Sequence, residues 1–343
     1  MNLTIIIPTL NRSNFLIKTL RYYSNLNFKS KFLILDSSKG KERQQNFDII
    51  SRFKNLNLKY VNVDGKPLEV IKKSKKYIKT KYCLFSGDDD YLIKSCLLKI
   101  KNFLNKKKNQ KYAGANGMGI LFSNYYNYVN TKKYESLFFT KSNKSIKRLE
   151  DIINDYRVSH FSVCRSKYFI SALEIIDKKK LPHRAFYDEI AFSITLAIYG
   201  KFHQFEDLFL LRETSHQRNN LWSEINDNDQ KISLDYLINY LKQKQLVIDN
   251  KIVNIDQKFN NFKKMLKKNF KQEKENKKNF LKKIMNFYNT KIYFWIYMNF
   301  PFKFIFLPIE IYRNLSNYYS TNNLLKDKKF SKDFKIFYDH FKK

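Results

Sequence analysis

The sequence contains few of the residues that cross-link or interrupt a chain. There are 3 Cys, 5 Pro and 7 Gly among 343 residues. Cys83, Cys96 and Cys164 do not have the spacing of metal ligands, so we expect reduced, structural thiols in a cytosolic setting rather than disulfides. Hydrophobic residues make up 43% of the chain and aromatic residues 17%, which excludes a disordered protein and allows a large buried core.

The start of the sequence does not resemble a secretory signal. Residues Met1 to Pro8 form a hydrophobic run far shorter than a signal core, and no basic residues precede it. We therefore expect the folded part of the chain to stay in the cytoplasm. A chain of 343 residues has room for one domain of roughly 200 to 250 residues and an appendage.

Acidic residues are scarce, because 31 Asp and Glu face 66 Lys and Arg and leave a formal net charge of +35. Such a charge fits nucleic-acid binding. Abundant Lys and Asn with little Gly and Pro also match codon use in an A/T-rich genome, so the position of the charge is more informative than its amount. Lys258 to Lys283 contains eleven Lys against two Glu, which predicts an anionic partner, either bilayer headgroups or nucleic acid.

A boundary near residue 225 divides the sequence into a mixed part, 1–225, and a basic, aromatic-rich helical part, 226–343. Within the second part, Ile292 to Ile311 is nearly long enough to span a bilayer, but polar residues and two prolines interrupt it. We predict that this segment lies on the membrane surface. The alternative is a pair of helices that packs on the first domain.

Hydrophobic periodicity in the first part alternates between strands and helices. The predicted strands are Leu3–Ile7, Lys31–Leu35, Leu58–Val63 and Tyr82–Phe85. The predicted helices run from Asn14 onwards with Ser13 as N-cap, over Glu42–Phe53 and over Val70–Ile78. Residues 113–144 look irregular, and a later helix over Asp188–Tyr199 precedes a strand over Phe202–Leu211. The alternation predicts a doubly wound α/β sheet with its ligand site at the carboxyl ends of the strands.

Three polar segments follow predicted strands: Pro8 to Arg12, Asp36 to Ser38, and Ser86 to Asp90. The carboxyl ends of parallel strands meet at one edge of a sheet, so we expect these segments to converge. Three consecutive aspartates raise one another's pKa unless a cation compensates them, and Mg²⁺ or Mn²⁺ prefers such oxygen ligands. The cluster Asp88, Asp89 and Asp90 therefore predicts a metal site. The alternative is a solvated turn that caps the next helix.

Other polar residues have two readings each. Asp36 could accept a hydrogen bond from a nucleobase or close an Asx-turn. Arg12 could pair with phosphate or be exposed, and Arg165 could also meet phosphate. Asp188 and Glu189 could stabilise the start of their helix, or one of them could be a general base for an acceptor hydroxyl. His216 could ligate a metal as a neutral imidazole or be a surface residue.

Three motifs taken together resemble the family 2 glycosyltransferases with the GT-A fold. They are Thr4 to Arg12, Phe32 to Ser38 and Tyr82 to Tyr91, in that order. The resemblance covers about residues 1–220. It implies a Rossmann-like, doubly wound mixed sheet, here followed by a lysine-rich helical extension. It also implies an inverting enzyme that transfers a sugar from a nucleoside diphosphate sugar to a hydroxyl group.

The resemblance also implies roles for individual residues. Pro8, Thr9, Asn11, Arg12 and Asp36 would surround the nucleotide. The aspartate cluster would hold the diphosphate, with Asp88 and Asp89, and Mn²⁺ or Mg²⁺, either through Asp88 with Asp90 or through Asp89 with its neighbours. Arg212 to His216 resembles the loop that closes over the nucleotide in some members, and His216 is the further candidate metal ligand. Glu189 aligns with the family's base and Asp188 is its neighbour. Leu10 departs from the pattern, because many members have an aromatic residue there.

Two other functions are compatible with parts of the sequence. A sugar nucleotidyltransferase also uses carboxylates and metal, but it would ordinarily have a Gly-rich loop after the first strand, and Pro8 to Arg12 contains no glycine. A nucleic-acid-binding protein would explain the charge but not three aspartates at a strand edge. We therefore expect an enzyme that acts on a glycan or lipid-linked acceptor, peripherally on the cytoplasmic face of the inner membrane.

Overall fold

The computed structural model describes residues 2–125, 128–135, 137–177, 185–214, 227–243 and 319–342. Within them, a nine-stranded mixed sheet forms the centre of the molecule. Its strands are β1 (Leu3–Thr9), β2 (Lys31–Asp36), β3 (Asn57–Asn62), β4 (Tyr82–Phe85), β5 (Asp90–Leu92), β6 (Tyr112–Tyr125), β7 (Tyr128–Tyr134), β8 (Val163–Arg165) and β9 (Lys201–Glu213). Their order is β3-β2-β1-β4-β8-β6-β9-β5, and β7 pairs with β6.

The first half of the sheet is the predicted doubly wound unit. β1 is parallel to β2 and β4, and β2 is parallel to β3. Ile5, Ile6 and Ile7 are fully buried, as a central strand covered on both faces requires. The connecting helices are α1 (Ser13–Asn25), α2 (Gly40–Ser51) and α3 (Pro67–Lys73), and a short 3-10 turn follows at Lys75–Tyr77. The predicted fold class is confirmed.

Helices cover both faces of the sheet, so the molecule has three layers. One face packs against α5 (Ser145–Asn154), α6 (Ser166–Ala172), α7 (Ala185–Ile198) and α8 (Asp227–Gln243), together with α3. The other face packs against α1, α4 (Lys94–Asn105), α9 (Thr321–Lys326) and α10 (Ser331–Lys342). Two further 3-10 turns lie at Lys107–Asn109 and Leu173–Ile175.

The irregular reading of residues 113–144 was wrong, because much of this segment forms β6 and β7. Its glycines lie inside β6, where other groups approach the backbone closely. A Cβ atom on Gly114 would lie 2.6 Å from the ring of Phe202, and one on Gly117 would lie 2.5 Å from the carbonyl oxygen of Asp207. Glycine in a strand often marks such a close approach. The pairing of β6 with β9 also shifts register at three points, which obscures a period of two in the sequence.

The predicted N-cap at Ser13 was also wrong. The N-cap residue of α1 is Arg12, and it makes no capping hydrogen bond through its side chain. Ser13 is the first helical residue, and its hydroxyl donates to Gln45 Oε1 on α2 over 3.4 Å. The start of α1 is therefore set by the loop that carries Arg12 rather than by a side-chain cap.

The last described helices belong to the core of the molecule. Phe334 and Phe337 of α10 are fully buried, and the ring of Phe337 lies 4.7 Å from that of Phe122 on β6. The Ser95 hydroxyl on α4 donates to Asp333 over 2.6 Å. A division of the chain at residue 225 remains a prediction, since 215–226 lie outside the described residues.

The basic stretch 258–283 and the segment 292–311 also lie outside the described residues. Their membrane role therefore remains a prediction. Of the helices that the structure describes, none combines the length and the apolar character needed to cross a membrane.

Replacing Phe337 by Ala should destabilise the protein strongly, because its buried ring packs among those of Phe122, Tyr91 and Phe341. We expect a loss of about 3 to 5 kcal/mol in the free energy of unfolding, measured by urea denaturation. Ile336→Ala is the matched control, because Ile336 lies on the same helix and is 43% exposed. Equal effects of the two substitutions would show that α10 is not part of the core.

Candidate active site

The polar segments that follow β1, β2 and β4 meet at one edge of the sheet, as the topology predicts. Thr9, the last residue of β1, is in register with Asp36, the last residue of β2. The Thr9 hydroxyl also donates to Asp88 Oδ2 over 2.7 Å, across 79 residues of sequence. The edge therefore gathers carboxylates from two separate loops into one place.

Arg12 forms ion pairs with the first two residues of the aspartate triplet, Asp88 to Asp90. Its Nη1 lies 2.9 Å from Asp88 Oδ1, and its Nη2 lies 2.8 Å from Asp89 Oδ2. The guanidinium also lies 4.1 Å above the ring of Phe15. Burial alone would lower the pKa of Arg12, but Asp88 and Asp89 raise it. We call Arg12, Asp88 and Asp89 the strand-edge cluster.

The strand-edge cluster carries more negative than positive charge. Burial raises the pKa of Asp88 to about 7, Arg12 lowers it and Asp89 raises it further. Glu213 at the end of β9 also belongs to this neighbourhood, because burial and the Asp89 carboxylate raise its pKa while Lys18 lowers it. The site would therefore be stabilised by an added cation.

Asp90 occupies a different position from its two neighbours. Its side chain is 0% exposed, Oδ1 accepts a hydrogen bond from Arg212 Nε over 3.0 Å, and Oδ2 accepts one from the backbone N–H of Gly87 over 2.7 Å. Both oxygens of Asp90 are thus engaged by protein donors. The same is true of Asp88, whose Oδ1 pairs with Arg12 and whose Oδ2 accepts from Thr9. The metal roles of Asp88 and Asp90 remain predictions.

The turn that carries the triplet requires glycine at position 87. A Cβ atom there would lie 2.6 Å from Asp89 Oδ1 and 3.0 Å from Asp90 Oδ2. Any side chain would displace the carboxylates. Sequence reasoning could not find this constraint, because it depends on how the turn folds back.

Asp36 closes an Asx-turn, which was one of the two roles that its sequence position allowed. Its Oδ1 accepts from the backbone N–H of Ser38 over 2.8 Å, and its Oδ2 accepts from the Tyr60 hydroxyl over 2.8 Å and from Asn46 Nδ2 over 3.1 Å. The carboxylate is fully buried. Asp36 therefore organises the loop after β2, and its protein partners argue against direct contact with a nucleobase. The contributions of Tyr60 and Asn46 were missed.

The loop after β1 is tied to the loop after β2. The backbone N–H of Asn11 donates to Ser38 Oγ over 2.8 Å, and Asn11 adopts a left-handed conformation with φ of 51°. Asparagine tolerates this region better than most residues. Leu10, just before it, is 54% exposed, so an apolar side chain stands at the rim of the site next to the half-buried Pro8.

Asp188 lies in the first turn of α7, which begins three residues earlier than predicted, and Glu189 follows it. We call these two residues the acidic pair. Burial raises the pKa of the partly buried Tyr134, Arg212 lowers it and the negative charge of Glu189 raises it. The Tyr134 hydroxyl in turn accepts a hydrogen bond from Arg212 Nη1 over 3.0 Å. Through Arg212 and Tyr134, the acidic pair is linked to Asp90.

A buried histidine supports this link. The His160 Nδ1 lies 2.9 Å from the hydroxyl of Ser193 on α7, and burial lowers the pKa of His160 to about 3. The imidazole is therefore neutral at physiological pH. Its neighbour Phe161 packs 4.0 Å beneath the guanidinium of Arg212. Neither His160 nor Phe161 was singled out from the sequence, since a lone buried histidine has no local signature.

The residues at this edge fit a divalent cation only in part. Across the described ranges, no group of three His, Cys, Asp or Glu side chains could hold a metal ion. Asp88 and Asp89 supply the oxygen donors that Mg²⁺ and Mn²⁺ prefer, and their charge is incompletely compensated. His216 lies outside the described residues. The pair of carboxylates fits such a cation if a ligand completes its shell.

Comparison with known proteins identifies the fold. No protein-family model matches the sequence, and no curated protein matches it. Among solved structures, S. aureus TarS 1-349 in complex with UDP-GlcNAc is 15% identical, covers 72% of this chain and 70% of its own, and has a TM-score of 0.51. At this identity the match establishes a shared fold. The chain has the GT-A fold, as its three motifs implied.

Two other TarS structures are similar at lower scores. S. aureus TarS 1-349 in complex with UDP is 16% identical and covers 71% of this chain and 72% of its own, with a TM-score of 0.45. A longer S. aureus TarS structure is 16% identical over 74% of this chain, with a TM-score of 0.46. The present chain spans 46% of the length of that structure.

Replacing Asp88 by Asn should stabilise the protein at neutral and alkaline pH. The folded pKa of about 7 exceeds the ordinary value of 3.8, so the folded state holds this proton more tightly than the unfolded state. The destabilisation caused by the ionised carboxylate is absent below pH 3.8 and grows as the pH rises to about 7. We expect D88N to gain on the order of 2 to 4 kcal/mol at pH 8 and to match the wild type at pH 4.

The measurement is thermal or urea unfolding across this pH range. Asp64→Asn is the matched control for the loss of one carboxylate, at an exposed position. A D88N variant that is less stable than the wild type at pH 8 would show that the pairing with Arg12 outweighs the cost of burial.

Proposed function

We propose that this protein is a glycosyltransferase, which moves a sugar from a nucleoside diphosphate sugar to a hydroxyl group of an acceptor. The observation that carries the proposal is that Arg212 lies between two groups of carboxylates: it donates to Asp90, beside the strand-edge cluster, and to Tyr134, which is in the electrostatic field of Glu189. One group of carboxylates can serve the diphosphate and the other can serve the acceptor. The fold shared with TarS, which is known in complex with UDP-GlcNAc, supports a UDP-sugar as donor.

The charge of the strand-edge cluster bears on how a donor would bind. The negative charge of Asp88 and Asp89 exceeds the positive charge of Arg12, so the cluster repels a diphosphate. The carboxylates and a diphosphate can therefore share the site only with a cation between them. We infer that Asp88 and Asp89 would hold Mn²⁺ or Mg²⁺ against the diphosphate. Such a cation neutralises charge on the departing nucleoside diphosphate. Arg12 is placed to hold both carboxylates in position.

The acidic pair supplies the base in this proposal. Glu189 would take the proton from the acceptor hydroxyl as its oxygen attacks the anomeric carbon, with Asp188 as the alternative. Attack on the face opposite the leaving diphosphate inverts the anomeric centre. The Tyr134 hydroxyl accepts a hydrogen bond from Arg212 and is in the electrostatic field of Glu189, which is consistent with a base on this side of the site.

The acceptor in this proposal is a surface polysaccharide or a lipid-linked glycan. A lipid-linked acceptor requires an enzyme at the membrane, and the basic stretch 258–283 and the aromatic segment 292–311 suit an anionic bilayer surface. We therefore place the protein peripherally on the cytoplasmic face of the inner membrane. Nucleic acid would compete for the same basic residues, so it is tested alongside.

Substituting Glu189 by Gln should separate donor binding from catalysis. UDP-GlcNAc with Mn²⁺ should raise the melting temperature of wild type and E189Q alike, because Gln retains the size of the side chain and the donor contacts the other carboxylates. The rate of sugar transfer to water or acceptor, measured as release of UDP, should fall by a factor of about 10² to 10⁴ in E189Q, which is the usual contribution of a general base. Asp188→Asn is the matched control and should lose less.

Two results would contradict the proposal. One is the absence of any metal-dependent rise in melting temperature with a panel of nucleoside diphosphate sugars. The other is tight, salt-sensitive binding of oligonucleotides without a response to any sugar nucleotide, which would favour the nucleic-acid alternative. Equal losses in E189Q and D188N would leave the proposed function standing but would contradict the assignment of the base.

Membrane association should depend on the aromatic segment. Truncation of the chain after residue 288 would also remove α10 and its buried phenylalanines, so substitution is the sharper test. Trp295→Ala together with Phe294→Ala should weaken co-sedimentation with phosphatidylglycerol vesicles by about tenfold or more. Phe47→Ala, at a 54% exposed ring on α2, should change nothing. Undiminished vesicle binding in the double variant would defeat the membrane assignment.

A further inference from the structure

A cavity of about 520 Å³ lies at the edge of the sheet opposite the candidate active site. Thr80 and Lys81 contribute to its lining just before β4 begins, and Arg165 and Ser166 contribute where β8 ends and α6 begins. β4 contains four residues, so roughly 13 Å of strand separates this cavity from the turn that leads to the aspartate triplet. The two sites therefore do not overlap.

The described residues that line the cavity carry three positive charges and no carboxylate. The three cations are Lys81, Arg165 and Lys167. Their recorded partners are uncharged: Lys81 donates to Asn105 Oδ1 over 3.2 Å, and the Lys167 ammonium lies 4.6 Å from the ring of Tyr168. Three like charges around one cavity repel one another, so the cavity favours an anion.

Arg165 is the most constrained of the three cations. It is buried, and its Nε donates to the carbonyl oxygen of Tyr112 over 2.8 Å, while its Nη2 donates to the carbonyl oxygens of Leu104 and Asn109 over 2.8 and 3.1 Å. These acceptors fix the guanidinium but do not neutralise its charge. A buried charge is normally paired with an opposite charge, and no described residue supplies one here.

Ser166 lies beside the same cavity but does not add a donor to it. The residue is 6% exposed and its Oγ is buried. Its hydroxyl hydrogen-bonds to the Cys83 thiol, whose pKa it lowers against the larger effect of burial. The three cations are therefore the groups that would hold an anion here.

We propose that this cavity binds the phosphate group of a small phosphate ester. The three cations provide the donors that a phosphate group requires. The volume lies within the range of about 300 to 1,000 Å³ that is usual for small-molecule sites, so it accommodates more than phosphate alone. The inference is independent of the proposed glycosyl transfer.

The test uses the full chain with Lys81→Gln and Lys167→Gln combined. Both lysines are exposed, so the double variant should fold normally, as checked by its melting temperature. Glycerol 3-phosphate and inorganic phosphate are titrated calorimetrically at physiological salt, and vesicles with and without phosphatidylglycerol form a second arm. The control combines Lys332→Gln and Lys335→Gln, which remove the same charge from exposed positions on α10.

Binding of glycerol 3-phosphate should weaken by about tenfold or more in the cavity variant and by less than about twofold in the α10 control. If the cavity variant loses binding to phosphatidylglycerol vesicles and the soluble probes do not bind, the site is supported and the phosphate belongs to a lipid headgroup. Three outcomes would overturn the proposal: no saturable binding of any probe to the wild type, equal losses in both double variants, or full retention of binding in the cavity variant.

Discussion

The burial of several carboxylates at one edge of a sheet is the constraint on which the rest of this structure depends. Asp88, Asp89 and Asp90 are all buried, and ionised carboxylates in a low dielectric are unfavourable without partners. The protein solves the problem unevenly. Asp90 is fully paired with Arg212, while Asp88 and Asp89 share one guanidinium. The charge of Asp90 is therefore compensated, whereas the combined charge of Asp88 and Asp89 is compensated only in part.

The pairing of Asp90 with Arg212 connects distant parts of the chain. β5 carries the aspartate and β9 carries the arginine, and the two residues are directly in register. From Arg212 the contacts continue to Tyr134 on β7 and to Phe161. The second half of the sheet is thereby fixed against the turn of the triplet. The helix α7 is tied to the same network, because Ser193 pairs with His160, whose ring lies 4.3 Å from that of Phe161.

The end of the chain stabilises the triplet from the opposite side of the sheet. Tyr91, which follows the last aspartate, is fully buried, and its ring lies 5.0 Å from that of Phe341 on α10. Its neighbour Tyr22 also contacts α10 through Phe337. A segment that looks like an appendage in the sequence therefore completes the core beneath the site. The two ends of β4 differ in charge. Carboxylates are in excess beyond its carboxyl end, and cations are in excess at its amino end.

The sequence by itself determined the alternation of strands and helices, because hydrophobic periodicity is a local property, and it determined that Thr9, Asp36 and Asp88 meet, because parallel strands end at a common edge. It could not reveal β6, because the glycines that interrupt the alternating pattern of this strand make room for residues that are distant in sequence. It also could not show which of the three consecutive aspartates pairs with which partner. Only the tertiary structure decided that Asp90 faces Arg212, that Asp36 closes its own loop and that α10 enters the core, because each of these depends on which residues from remote segments share a buried, low-dielectric space.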